Sequence, residues 1–167
     1  MPVAEKSTVS DPRAAAIEAL LVASRAMVAI ATRSLTDVDQ EITLPQSRAL
    51  ILMATRGPQR IIDIAEDLAV APSTATRMCD RLVRKGMLRR HRAAADRREV
   101  KVTLTPAGRD FVATITARRR RELERVVDAI PVDAYEQVVA ALQALNAAAG
   151  EPHGHEFWLG PESESES

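Results

Sequence analysis

The sequence predicts a mainly helical α+β fold in which one small β-hairpin interrupts a series of amphipathic helices. Apolar residues recur at helical spacing on both sides of a short alternating segment near residue 100. Aromatic residues make up only 2% of the chain, so the core must consist mainly of aliphatic side chains, which suit packed helices. Prolines also stand where four helices are expected to begin, namely at Pro12, Pro45, Pro72 and Pro106.

Composition excludes several classes of protein. Cys79 is the single cysteine, so one chain can form neither an internal disulfide nor a thiolate zinc cluster, and a reducing cytoplasm is expected. We expect no membrane span and no signal peptide, because no long apolar run stands out. The sequence shows no phosphate-binding loop, metal-ligand cluster or nucleophile–base–acid set. It therefore predicts no cofactor, no metal and no enzyme.

The first three helices are marked by their start and stop signals. Asp11 and Pro12 predict a long helix that continues to about Leu35 with one apolar face. Pro45 opens a second helix, which the pair Gly57-Pro58 ends. A third, short helix is predicted over residues 61–68.

The helix that begins near Pro72 has two chemically different faces. Ala75, Met78, Cys79 and Leu82 follow helical spacing and share an apolar face. The other face is short, polar and cationic, and such a helix fits the major groove of DNA. We predict DNA contacts for its members Ser73, Thr74, Thr76, Arg77, Arg81 and Arg84.

A hairpin, here called the wing, follows that helix. Gly86 can end the helix, and an extended segment begins at Leu88. Val100, Val102 and Leu104 then alternate with polar residues, which predicts a half-buried strand. The tip between the two strands carries Arg97 and Arg98, which we predict to enter the minor groove of DNA.

The formal net charge of zero conceals two unlike regions. Residues 73–101 contain ten Lys or Arg residues against three Asp or Glu residues, a net charge of +7. Residues 151–167 contain five glutamates and no Lys or Arg. The first region suits a nucleic-acid partner, and we expect residues 150–167 to form an acidic, disordered tail.

After the hairpin, Thr105 and Pro106 predict a long helix to about residue 129, and Pro131 starts a final helix to about residue 149. The first and last helices have more apolar surface than a small domain can cover. We therefore predict that a second copy covers it in a homodimer.

Two segments resemble the MarR family of bacterial regulators, which has a winged helix-turn-helix fold. Residues 96–108 are similar to the family's wing pattern of Asp-x-Arg, a strand and Leu-Thr-x-x-Gly. Residues 64–86 are similar to its helix-turn-helix, except that Ala69 stands where glycine is common and Ala71 where a capping side chain is common.

The resemblance implies a homodimer that straddles a pseudo-palindromic operator in double-stranded DNA. Residues 41–105 would form the winged DNA-binding domain, and residues 11–40 with 106–149 the helical dimerisation region. Asp96 would brace a neighbouring arginine of the wing. The function implied is that of a sequence-specific transcriptional repressor, released from DNA by a small aromatic or phenolic effector.

Other interpretations stay open. The winged domain could serve dimerisation or protein contact without binding DNA. Cys79 could sense oxidants, although its apolar face favours a structural role. The four arginines 118–121 cover every side of a helix, which favours ion pairs. His153, His155 and Glu156 would form at most a weak metal site.

Overall fold

The computed structural model describes residues 11–36, 42–92 and 100–151. These residues form a mainly helical fold with a small antiparallel sheet. A single turn of 3-10 helix, Val132–Ala134, precedes the last helix, which therefore begins four residues later than Pro131 suggested. The elements in order are α1 (Pro12–Thr36), α2 (Leu44–Arg56), β1 (Gln59–Arg60), α3 (Ile61–Asp67), α4 (Pro72–Arg84), β2 (Leu88–Arg92), β3 (Val100–Leu104), α5 (Pro106–Val127) and α6 (Tyr135–Ala149).

The predicted ends of α2 are confirmed by its capping contacts. The Thr43 hydroxyl accepts a hydrogen bond from the Gln46 amide at 3.4 Å, and the Gln46 side chain accepts one from the Thr43 amide at 2.9 Å. This reciprocal pair satisfies two amides that the helix itself cannot. At the other end Gly57 has a φ of 77°, and its amide bonds to the Met53 carbonyl.

The sheet has a third strand that the sequence did not predict. Strand order is β1-β3-β2, with Gln59 opposite Val102 and Leu88 opposite Leu104. A strand of two residues is too short to show the alternation of apolar and polar residues by which strands are predicted, so the sequence gives no indication of β1.

The alternation predicted for β3 is also wrong at two positions. Val100 is 43% exposed, because it lies beyond the last β1 pairing, which is at Lys101. Thr103 is buried, because β3 there enters the body of the domain and leads directly into α5. Val102 and Leu104 are buried as predicted.

One apolar core joins the helices to the sheet. Its side chains come from α2, α3, α4, both long strands and the first turns of α5. Leu50, Ile64, Leu82 and Val102 are fully buried at its centre, and Phe111 and Ile115 bring α5 into it. The buried face of α4 therefore packs against the same core as the first turns of α5.

By contrast, α1 and α6 are mostly exposed. In α1 only Ile30, Ser34 and Leu35 are buried, and α6 has no buried residue. By length and composition α1 is also apolar enough to cross a membrane, which the sequence analysis did not expect. However, its last two turns pack into the protein core through Ile30 and Leu35.

The junction between β3 and α5 ties three elements together. Thr105 caps α5 by accepting a hydrogen bond from the Gly108 amide at 3.1 Å, and its hydroxyl donates to the Gly86 carbonyl at 2.5 Å. The Thr105 amide donates to the Met87 carbonyl at 3.0 Å. A Cβ on Gly108 would collide with that same carbonyl oxygen of Met87. The threonine and glycine of the Leu-Thr-x-x-Gly pattern are thus required by the hydrogen bonds and close packing at this junction.

We expect Gly108→Ala to destabilise the protein by about 1 to 3 kcal/mol, because the backbone of Met87 must move to admit the methyl group. Ala107→Gly, at the neighbouring exposed position, should cost less than about 1 kcal/mol. Urea unfolding followed by circular dichroism measures both. Equal stability of Gly108→Ala and the wild type would show that the junction is not tightly packed.

The turn between α3 and α4 places an alanine in the left-handed region. Ala69 has a φ of 51° and is the only described residue other than glycine with a positive φ. Its amide bonds to the Glu66 carbonyl, and the Val70 amide bonds to the Ala65 carbonyl, each at 3.0 Å. These two bonds form a Schellman motif, in which this position normally holds glycine.

Ala69→Gly should therefore stabilise the protein by about 0.5 to 1 kcal/mol. The left-handed conformation costs an L-residue about 1 to 2 kcal/mol, and the added entropy of glycine in the unfolded chain offsets part of that gain. The exposed methyl group of Ala69 loses little packing. The measurement is again urea unfolding. A loss of stability as large as that of a glycine in mid-helix would contradict the assignment of strain to this turn.

Candidate nucleic-acid interface

The two faces of α4 are divided as the sequence predicts. Ala75, Met78, Cys79 and Leu82 are buried, and Met78 is the most exposed of them at 8%. The opposite side faces solvent along the whole helix. It presents six exposed residues, Ser73, Thr74, Thr76, Arg77, Arg81 and Arg84.

The first turn of α4 is polar and open. Ala71 occupies the N-cap and provides no side-chain hydrogen bond. The Thr76 hydroxyl donates to the Pro72 carbonyl at 2.9 Å, so in this rotamer its oxygen remains available only as an acceptor. Pro72 has no amide hydrogen and the Thr74 amide bonds to the Ala71 carbonyl at 2.8 Å, so this terminus offers an anion such as a phosphate mainly the Ser73 amide and the positive helix end.

Three arginines of α4 differ from Arg56 and Arg60 in that they have no carboxylate partner among the described residues. Arg56 pairs with Asp67 at 2.5 Å, and Arg60 pairs with Asp63 at 2.5 Å. Among the described residues, Arg77, Arg81 and Arg84 form no ion pair and no side-chain hydrogen bond. We call these three guanidinium groups the α4 arginine face. They are solvated cations that a polyanion can bind without first breaking a protein contact.

A salt bridge fixes the first wing strand to α4. Arg90 of β2 contacts Asp80 of α4 at 2.5 Å, with both side chains about 40% exposed. Next to it, Arg89 is exposed and has no ion pair within the described part of the chain. Arg89 therefore extends the cationic surface onto β2. Its charge is part of the +7 of residues 73–101, but Arg89 is not among the residues predicted from the sequence to contact DNA.

A groove runs between α2 and α4 beside the arginine face. Two adjoining hollows form it, of 430 and 360 Å³. Val70 and Met78 provide apolar surface, while Arg77, Arg81 and Arg84 supply positive charge along it. We call this feature the α2–α4 groove.

Cys79 lies fully buried behind the arginine face. Burial raises the pKa of its thiol to about 11, and the nearby cation of Arg90 only partly opposes this effect. A thiol of this kind is protonated at neutral pH and is a poor nucleophile. These observations favour the structural role predicted for Cys79.

The other predicted site residues lie outside the described ranges. They are Asp96, Arg97 and Arg98 of the wing tip, and His153, His155 and Glu156 of the tail. In the ranges that are described, no three His, Cys, Asp or Glu side chains are grouped so that they could hold a metal ion.

The arginine-rich part of α5 contains one feature that ion pairing alone does not explain. Glu122 accepts hydrogen bonds from Arg33 of α1 at 3.0 Å and from Arg125 at 2.7 Å, neither of which is one of the four arginines 118–121. Arg119, however, has a buried Nε with no hydrogen-bond partner among the described residues. Burial lowers the pKa of Arg119, and the neighbouring cation of Arg48 lowers it further. Arg48 in turn contacts the carboxylate of Glu151, just beyond the end of α6.

The fold and this surface define the chain as a winged helix-turn-helix protein. The model of the MarR family matches residues 42–100. The crystal structure of RV1404 from Mycobacterium tuberculosis superposes with a TM-score of 0.80 and 38% identity, covering 87% of this chain and 99% of that one. The chain belongs to the MarR family, and it is a transcriptional regulator.

Two further relatives are informative. The HTH-type transcriptional repressor MdtR of Bacillus subtilis is 31% identical over 86 residues, which is 52% of this chain and 56% of that protein. The structure of Streptococcus pneumoniae FabT in complex with DNA has a TM-score of 0.68 at 18% identity, with 84% of this chain and 99% of that one covered. At that identity the likeness establishes a common fold.

The position of Cys79 leads to a reactivity prediction. With a pKa about two units above that of a free cysteine, the native thiol should react with a disulfide reagent about 100-fold more slowly at pH 8. Burial should slow it further. Full reactivity should return in denaturant. Cys79→Ala should bind DNA like the wild type, whereas release of DNA by peroxide from the wild type alone would indicate a redox sensor.

Proposed function

We propose that the protein binds double-stranded DNA as a homodimer through the α4 arginine face and the wing, and so represses transcription. The observation that carries the proposal is the set of exposed guanidinium groups that have no ion pair among the described residues, on a helix whose other face is buried. Major-groove recognition requires this division, because the helix must be held rigidly while its polar face contacts bases and phosphates. The DNA-bound FabT shares this fold, and MdtR is named a repressor. Both likenesses support the proposal.

Within this surface the residues would have different roles. Arg77 lies near the N-terminal half of α4, which usually meets base edges, so it is proposed to read sequence. Ser73, Thr74 and Thr76, beside the uncapped start of the helix, are proposed to contact phosphates or base edges. Arg81 and Arg84 follow toward the C-terminal end and are proposed to hold the backbone.

The proposed homodimer rests on the exposed apolar surfaces of α1 and α6. Six large apolar residues of α1 are 41–57% exposed, and in α6 Val139, Leu142 and Leu145 are 38–53% exposed. A groove of 450 Å³ on the second half of α5 adds apolar surface next to Leu123 and Val127. A second copy would cover all of this surface, and it would also explain α1 without a membrane.

The remaining parts of the proposal follow from the family. A small aromatic or phenolic effector would release the operator, and a regulator of this type would act in the cytoplasm. We assign no catalytic step to the protein. Contact with a protein partner alone remains the second candidate function, and the DNA measurements below separate it from the first.

Arg77→Ala should weaken operator binding by about 1 to 3 kcal/mol and relax the preference at one position of each half-site. Arg25→Ala removes the same charge from an exposed position in α1 and is the matched control; because α1 belongs to the proposed dimer surface, light scattering first shows that this variant is still a dimer, and it should then bind as the wild type does. Titration of the promoter duplex upstream of the gene and of a scrambled duplex measures both effects. Equal loss on both duplexes would mean that Arg77 contacts only the backbone.

Arg98→Ala should weaken binding to both duplexes more evenly, because a wing tip contacts minor-groove walls and phosphates. Each lost phosphate contact lowers the slope of log affinity against log salt by roughly 0.9, so a dimer should lose nearly 2. If affinity and slope are unchanged, the wing does not touch DNA, and the second candidate function gains support.

Leu142→Glu should separate the dimer, because it places a charge in the apolar surface of α6 twice per dimer. We expect the dissociation constant to rise by roughly 100-fold or more. Gln137→Glu adds the same charge at an exposed position of α6 on the side of the helix opposite Val139, and it should leave the dimer intact. Light scattering at micromolar concentration measures both variants. A dimeric Leu142→Glu protein would exclude this face of α6 from the interface.

A further inference from the structure

The start of the C-terminal segment is held beside α2. After α6 ends at Ala149, Gly150 turns the chain in the left-handed conformation and the Glu151 amide bonds to the Asn146 carbonyl at 3.0 Å. The Glu151 carboxylate then contacts Arg48 of α2. Arg48 also lies close enough to Arg119 for its charge to lower the pKa of that second cation. The described part of the chain therefore ends next to α2, and residues 152–167 follow from that point in the sequence.

The composition of this segment complements the α2–α4 groove. Residues 152–167 contain four glutamates and no Lys, Arg or Asp. An apolar triplet, Phe157-Trp158-Leu159, lies between Glu156 and Glu162. The groove has the reciprocal pattern, with apolar surface at Val70 and Met78 and the three cations of the α4 arginine face beside it.

The segment is also long enough. Thr43, Pro45 and Gln46 line the groove and lie about one turn before Arg48 on the same helix. The path from Glu151 around α2 is therefore on the order of one helix diameter, about 10 to 12 Å. Trp158 is seven positions after Glu151, and seven extended residue steps span up to about 24 Å.

We propose that residues 156–166 of the chain bind in the α2–α4 groove of the same subunit, with the apolar triplet on its floor and the glutamates against Arg77, Arg81 and Arg84. The docking itself requires no DNA. Its regulatory consequence rests on the proposed function, because the segment and DNA would compete for the same guanidinium groups.

The effect of the docked segment on DNA affinity can be estimated from its effective concentration near the groove. A short flexible connection gives an effective concentration of about 1 mM, and a groove affinity of about 0.1 mM would then reduce the apparent DNA affinity about tenfold. Charge pairs on this exposed surface are screened by salt, so the effect should largely disappear at about 1 M salt, where the Debye length is about 3 Å.

Trp158 is the single tryptophan of the chain and reports on the docking directly. In the DNA-free, full-length protein at about 0.05 M salt, acrylamide should quench Trp158 less than it quenches a free tryptophan analogue, and about 1 M salt should remove most of this protection. The double variant Arg81→Gln/Arg84→Gln should lose the protection at low salt. Arg13→Gln/Arg25→Gln removes the same charge from exposed positions of α1 and should keep it. Circular dichroism and light scattering confirm that all variants remain folded and in the same assembly.

A second arm uses the glutamates. Glu162→Gln/Glu164→Gln/Glu166→Gln keeps Trp158 and should both expose it to acrylamide and raise DNA affinity about tenfold at low salt. Full quenching of Trp158 in the wild type, or protection that survives Arg81→Gln/Arg84→Gln, would overturn the proposal. A gain in DNA affinity without any protection of Trp158 would also overturn it, since simple repulsion would then suffice. Protection of Trp158 in a protein that binds no DNA would uphold the docking and refute only the proposed function.

Discussion

One hydroxyl group and one missing Cβ hold the end of α4, the sheet and α5 in a fixed relation. Thr105 both caps α5 and donates to the Gly86 carbonyl just beyond α4, while Gly108 leaves room for the carbonyl of Met87. The direction of α4 is thereby set by α5, whose first turns are buried in the same core. Any larger residue at position 108 must push the α4–β2 turn away from its place.

The charges on the exposed surface serve two purposes that their contacts separate. Arg56, Arg60 and Arg90 each meet a carboxylate and hold neighbouring elements together. On α4, Arg77 and Arg81 are four residues apart and Arg84 follows three residues later, and like charges at these spacings repel by about 0.2 to 0.5 kcal/mol per pair. The arginine face therefore destabilises the isolated helix slightly. A bound polyanion, whether DNA or an acidic segment of the chain, relieves that repulsion.

Periodicity and end signals predicted most helices because these features are local. Proline marked the start of α2, α4 and α5, with Thr105 as the predicted cap of α5, and the 3.6-residue period divided α4 correctly into buried and exposed faces. The failures concern features that depend on distant partners. The two residues of β1 become a strand only by pairing with β3, and Thr103 is buried by tertiary packing. The burial of Arg119 likewise depends on how α2 and α5 meet, which no spacing in either helix encodes.

The surfaces proposed for dimerisation and for DNA binding are joined by α5. Its first turns belong to the core behind α4, whereas its second half carries the groove and the ion pair between Glu122 and Arg33 of α1. A helix of 22 residues is about 33 Å long and bends little, so a small rotation at the exposed end is carried to Thr105 and from there to Gly86. In a dimer, such a rotation would change the distance between the two α4 helices. It would have less effect on the contacts that each α4 helix makes within its own subunit. Half-site spacing on DNA is fixed by the helical repeat, so this distance is the quantity to which operator affinity should be most sensitive.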